Sequence, residues 1–223
     1  MASEVDICNI ALSNLGDEAT VASIDPPEGS AQADHCARWY PLARDQVLQS
    51  HSWSFATRRA VLAPVQFDFT EWRFAYAQPD DCIKFFAVLP PNALSDYSDA
   101  LAYPTRSTFG DFRECGEYGY APQEFATETD EDGNVVILTN QDQATGRFVA
   151  RVTDTTKFSP IFVQAVSRLL ASYLAGPIIK GVDSIQIASG QYQAFQIALS
   201  KAIQADGIQR QVRPQHIVPW MRR

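Results

Sequence analysis

No C-x-x-C pair occurs in this chain, and no histidine stands at metal-ligand spacing from its four cysteines, Cys8, Cys36, Cys82 and Cys115. That spacing leaves no metal site, and in a reducing compartment the four read as free thiols, some of them buried as small hydrophobes. No apolar run reaches the roughly 18 residues that cross a bilayer, so no membrane contact is expected. Met1-Ala2-Ser3-Glu4 lacks the basic start and apolar stretch of a signal peptide, and the product is expected in the cytoplasm where it is made. Neither G-x-G-x-x-G nor G-x-x-x-x-G-K-[ST] is present, which removes the usual phosphate cradles, and no cofactor is implied. Positive charge is also scarce. The net charge of −8 argues against a grip on nucleic-acid phosphates.

What is present fits a globular protein of 223 residues, 46% apolar and 20% charged. The charge is unevenly spread. Arg210, Arg213, Arg222 and Arg223 lie in a terminal stretch without acids; setting them aside leaves 14 basic against 26 acidic residues, −12 for residues 1–206. An acidic body thus precedes a basic tail.

Ser3 with Asp6 forms a capping box ahead of Val5, Cys8, Leu12 and Leu15 at helical spacing, with Gly16 as the stop. A loop through Asp25-Pro26-Pro27-Glu28-Gly29 follows. Ser30 then caps a second helix to about Gln49, whose buried face is Ala33, Cys36, Ala37, Tyr40, Val47 and Leu48. Pro41 is expected to kink it or to interrupt its hydrogen bonding. Alternation at Trp72, Phe74 and Tyr76, the run Ile83 to Leu89, and the stretch from Arg147 to Val152 read as strands. Asp132-Gly133-Asn134 reads as a hairpin turn between Phe125 and Val135–Leu138. Residues 92–120 have no clean period and read as a long loop. After Ser159-Pro160, Phe162, Val166, Leu169, Leu170 and Tyr173 make one helical stripe, ending at Gly176-Pro177. Ser184 opens a last helix with Tyr192, Phe195, Leu199 and Ala202 aligned before Gly207.

The sequence therefore predicts an α+β protein. N-terminal helices (1–55) and C-terminal helices (158–207) form one helical bundle, a β-rich lobe (56–157) is inserted between them, and 208–223 is an extended C-terminal tail.

The stretch Tyr40 to Phe55 gathers an Arg-Asp pair, His51, three serines and large aromatics, but Ser52 and Ser54 lack nucleophile-elbow glycines. Its reading is structural: Tyr40, Trp53 and Phe55 form the seam where bundle meets β lobe. The acids Glu128, Asp130, Glu131 and Asp132 lack the ligand pattern of a calcium loop and read as a solvated hairpin tip. No carboxylate pair is singled out for glycoside hydrolysis. His35 and His216 stand alone, as surface or interface residues. No catalytic residues emerge, and the chain is not expected to be an enzyme.

The order of these signals resembles a known family. The carrying residues are Leu12-Ser13-Asn14-Leu15-Gly16, then Tyr40-Pro41 with Arg44-Asp45, Leu48, His51, Trp53 and Phe55-Ala56. Trp72 to Tyr76, Pro79-Asp80-Asp81-Cys82 and Val152-Thr153-Asp154 follow, and Phe158-Ser159-Pro160-Ile161-Phe162 and Leu174-Ala175-Gly176-Pro177-Ile178 complete the series. Over most of residues 3–207 it resembles the head-to-tail adaptor (connector) proteins of tailed bacteriophages, of the tail tubular protein A type.

That resemblance implies a structural virion protein at the head-tail junction, in a ring that in such adaptors is usually of twelve neighbouring copies. The ring joins the portal protein to the tail nozzle protein, and genomic DNA passes through it without specific binding. An acidic lumen would keep DNA from sticking. The tail residues Arg210, Arg213, Trp220, Arg222 and Arg223 are the candidate partner-binding set, an arm whose charge opposes the body. The alternatives are another neck or tail-completion ring protein, and a small peptidoglycan hydrolase.

Overall fold

The computed structural model describes residues 2–18, 20–67, 71–90, 123–130, 132–181 and 183–208. The loop reading of 92–120 and the tail readings lie outside them. Within this part the chain is mixed helix and sheet, α+β, with four α-helices and two antiparallel sheets. It divides into two units. One is made of Met1–Ala56 with Arg151–Gln209, the other is built on Thr57–Ala150.

The first unit holds all four helices, α1 (Glu4–Asn14), α2 (Ala31–Ser50), α3 (Pro160–Ile179) and α4 (Asp183–Ile208). Three of them start at serine caps that satisfy amides otherwise left bare at a helix N-terminus. Ser3 Oγ accepts from the Asp6 amide at 3.1 Å while Asp6 returns the bond to the Ser3 amide at 2.8 Å. Ser30 and Ser159 do the same for Ala33 and Phe162, both at 3.2 Å. The connection between α1 and α2 is pinned by a side chain. Asn9 clasps the backbone of Val21 through both its amide N–H and its carbonyl.

α3 is the centre of this unit and packs against α1, α2 and α4. Its inner face, Phe162, Val166, Leu169, Leu170 and Leu174, is fully buried. This helix is long and apolar enough to cross a membrane, with a mean hydropathy of 1.3 over its window. The expectation that no such segment exists is thereby corrected. Gln164, Ser167, Arg168 and Ser172 interrupt the run without lowering its average below that level. More than half of the window, 56%, is buried within the unit, as befits a core helix.

Three helix boundaries depart from expectation. The extent of α2 is not among them: it spans Ala31–Ser50 with Pro41 inside it on the exposed side, while Tyr40 and Ala43 hold the buried side. α3 continues past Gly176-Pro177 to Ile179. Its reversal comes at Lys180 and Gly181, with φ of 49° and 137°, and the Lys180 amide donates back to the Gly176 carbonyl. Ser184 is not the cap of α4, which already begins at Asp183; its hydroxyl is buried and donates to the Gly181 carbonyl at 2.6 Å. α4 also runs through Gly207 to Ile208.

The second unit contains seven strands: β1 (Thr57–Val61), β2 (Pro64–Val65), β3 (Phe74–Ala77), β4 (Cys82–Leu89), β5 (Phe125–Thr129), β6 (Val135–Thr139) and β7 (Thr145–Ala150). One sheet has the order β1-β7-β4, the other β2-β3-β6-β5. Leu62, Tyr76, Val88, Ile137 and Ala144 form a core shared by the two sheets. The second sheet buries its other face too, through Ala75, Val136 and Leu138 with Trp72 and Phe67 against them. β5 and β6 pair across the turn at Gly133, whose φ of 85° needs glycine. The expected strands at Trp72–Tyr76 and Arg147–Val152 shift in place to β3 and β7. β1 and β2 were not legible, because most of their residues are exposed and no alternation marks them.

Candidate functional site

Tyr40, Trp53 and Phe55 all belong to the helical unit. α2 ends at Ser50, and His51 leaves in an extended conformation that turns the chain back along the helix. That return lets the Trp53 indole N–H donate to the Val47 carbonyl at 2.8 Å. The ring is 1% exposed. It meets Phe162 of α3 edge-on at 5.0 Å, and Phe55 meets the same ring edge-on at 5.1 Å. Phe158 completes the cluster, 4.7 Å from Phe162 and 5.8 Å from Phe55. Such edge-to-face contacts suit aromatic quadrupoles and fix the ring orientations. Tyr40 is equally buried but lies further up α2, and its hydroxyl has no hydrogen-bond partner. Burial, the largest cause, raises its pKa far above the ordinary tyrosine value.

The Arg-Asp pair joins a chain of charges. Arg44, nearly buried, bonds Asp45 at 2.9 Å and approaches Glu4 of α1 at 4.0 Å; Asp45 in turn accepts from Arg151 at 3.0 Å. Breaking a pair around so buried a guanidinium costs more than breaking an exposed one.

A residue the sequence reading did not single out, Asp206 in the last turn of α4, holds the segment after α2. Its carboxylate accepts the Ser54 amide at 3.1 Å and the Ser54 hydroxyl at 2.6 Å, and His51 Nε2 lies 3.3 Å from its other oxygen. An acid at a helix C-terminus opposes the helix dipole, and that mismatch was the available signal for a specific partner. Serine, histidine and aspartate are thus together, but in the order of a clasp. Asp206 is the hub and accepts the hydrogen bond of the serine hydroxyl directly, whereas a hydrolase needs histidine between the two.

His35 lines an open depression of about 460 Å³ with Leu15, Asp17, Gln32 and Lys180. Gln32 donates to Asp17 there at 3.4 Å. Of the hairpin acids, Glu128 lies in β5 and Asp130 and Asp132 at the β5–β6 turn, where Asp130 accepts from both the amide and the side chain of Asn134; Glu131 lies outside the described residues. Among the described residues no group of three or more His, Cys, Asp or Glu could hold a metal ion. Arg210, Arg213, Trp220, Arg222 and Arg223, like His216, lie outside the described residues. No protein-family model matches the chain, and no curated protein aligns with it significantly.

Proposed function

We propose that this chain is a structural virion protein of a tailed bacteriophage, a head-to-tail adaptor whose copies form a ring joining portal to tail nozzle around the DNA exit channel. The reading is carried by the ordered motif series from Leu12-Ser13-Asn14-Leu15-Gly16 to Leu174-Ala175-Gly176-Pro177-Ile178. It is supported by an α+β organisation in which residues from before and after the strands share one unit. In this reading the four helices are a bundle that carries the ring contacts, and the β-rich unit is an insertion into it. The aromatic cluster of Trp53, Phe55, Phe158 and Phe162 keeps the bundle rigid where the insertion departs and returns. The net charge of −12 over residues 1–206 keeps the ring from holding DNA as it passes. The protein acts in the neck of the virion after synthesis in the host cytoplasm, with no membrane, cofactor or catalytic step of its own.

The tail supplies the docking arm. Its four arginines and no acids suit an acidic neighbour, and Pro214 and Pro219 limit the entropy lost when it orders. Purified protein mixed with its portal should add a ring below the portal in electron micrographs. Deleting 209–223 should leave the melting temperature unchanged and abolish that attachment. Attachment undiminished by the deletion would remove the arm, and no ring under any condition would remove the adaptor reading.

A further inference from the structure

The longest stretch of this chain without a charged side chain runs from Ser184 to Ser200, seventeen residues inside α4. Such a run is ordinary in a core helix, where charge is costly to bury. This one is not in a core. α4 packs against α3 and buries Phe195, Ala198 and Ala202, yet Ile185 is 76% exposed, Ile197 60% and Tyr192 43%. Large apolar side chains left exposed together on one element mark an interaction surface. Gly190 is a second and independent sign. It lies well inside the helix, exposed, and a Cβ there would meet nothing within 4 Å among the described residues. Glycine inside a helix is destabilising relative to alanine, and its use is to let another backbone come close. Two charges bracket the run. Asp183 and Lys201, eighteen residues or about five helical turns apart, share a side of α4 with Gly190 and Ile197. Both are exposed, and neither has an ion-pair partner among the described residues.

We propose that this side of α4 docks a second copy of the chain, the two helices lying antiparallel about a twofold axis level with Tyr192. That level is midway between Asp183 and Lys201. The twofold sets Asp183 beside Lys201 of the partner subunit and Lys201 beside the partner subunit's Asp183, so both unpaired charges meet opposites at once. A parallel pair would set each against its own kind. Ile197 arrives on the order of 5 Å along the axis from the partner's Gly190, where the missing side chain leaves room. Charge also selects the occupant. Two bodies of −12 over residues 1–206 repel in most orientations, and here they touch with no like charges opposed. The same patch serves both subunits, so the contact closes at two copies. About 27 Å separate the two charges along the helix, a short contact that makes the pair weak and reversible. The inference does not rest on the adaptor reading: the pair needs no portal and is tested without one.

The test is sedimentation velocity on the full chain from low to high micromolar concentration. The expected result is a reversible equilibrium between monomer and dimer. Asp183→Lys and Lys201→Glu, each alone, oppose like charges at both ends and should weaken the dimer roughly tenfold or more. Mixing those two variants brings opposite charges together at both ends and should recover it, which also shows that each variant is folded. Gly190→Leu should weaken the dimer while the subunit's melting temperature stays level or rises, because leucine is the better helix former. Monomer at every concentration, which would give the face to a different partner, would overturn the proposal and leave the adaptor reading standing. So would assembly that continues past two copies, a dimer that neither charge reversal weakens, or weakened variants that do not recover on mixing.

Discussion

Replacing Trp53 with alanine removes the most heavily engaged ring of the helical unit. Truncating a fully buried tryptophan costs about 3–5 kcal/mol, the sum of lost transfer energy and the cavity left where neighbours cannot close in. Here the neighbours are Phe162 of α3, Phe55 and His51, the last edge-on at 5.1 Å, and edge-to-face pairs add about 0.5–1.5 kcal/mol each beyond area. The hydrogen bond to Val47 matters less. The Ser50 hydroxyl donates to the same carbonyl at 2.7 Å, so removing the indole does not orphan the acceptor. Trp53→Phe should therefore cost only about 1–2 kcal/mol, and the gap between the two variants isolates ring packing. All four described helices lie in one unit, so urea melts followed by the far-ultraviolet helix signal report on that unit. A loss under about 1 kcal/mol for Trp53→Ala would refute the claim that this ring fixes the helices, because a core position cannot be that tolerant.

Asp206→Ala should cost about 1–3 kcal/mol by stranding the Ser54 amide, while Asp206→Asn, which can still accept, should cost less; thermal melts of both decide it. Gly146→Ala should destabilise the β unit by about 1–3 kcal/mol, since a methyl there would lie 2.6 Å from the Phe85 ring and 2.7 Å from Leu62; a neutral effect in a urea melt would show that this core repacks freely. Acid should weaken the fold through its exposed caps. Asp6, Asp130 and Asp154 are held below 3.8 and Glu28 below 4.5 by hydrogen bonds from, respectively, the Ser3 amide, the Asn134 side chain, the Thr156 hydroxyl and the Ala22 amide. Each is depressed in the folded chain, so its contribution is complete above those ordinary values and disappears as pH falls through the lower folded ones. Stability measured against pH should be flat above about pH 5 and drop below pH 4, and Asp154→Asn should shrink that drop.

Helix starts were readable because each rests on three or four adjacent residues: Ser3 with Asp6, Ser30, and Ser159 with Pro160 all occupy the caps foreseen for them. The hairpin at Asp132-Gly133-Asn134 was equally local. Helix ends were less legible. Gly176-Pro177 looks like a terminator, yet α3 continues through it to the half-buried Ile178 and Ile179 and reverses only at Lys180, a residue that gives no outward sign of a left-handed turn. β1 lay hidden because an edge strand with exposed Arg58 and Arg59 has no alternation to read. The Asp206 clasp and the Glu4–Arg44 contact join residues far apart in the chain, and no local pattern carries such pairings.

The helical unit draws its parts from both sides of the strands, and that has a consequence for the order of synthesis. α1 and α2 leave the ribosome with Ile7, Leu12, Tyr40 and Val47 ready to be covered, but α3, the helix that covers them, follows more than a hundred residues later. At about 5–20 residues per second the wait is on the order of ten seconds. During it the β unit, whose strands are contiguous in the chain, can complete itself first. The nascent helices meanwhile present an oily face to every other growing chain on the same message. A protein expressed in many copies at once, built in this order, depends on holdase chaperones at that stage more than its finished stability would indicate.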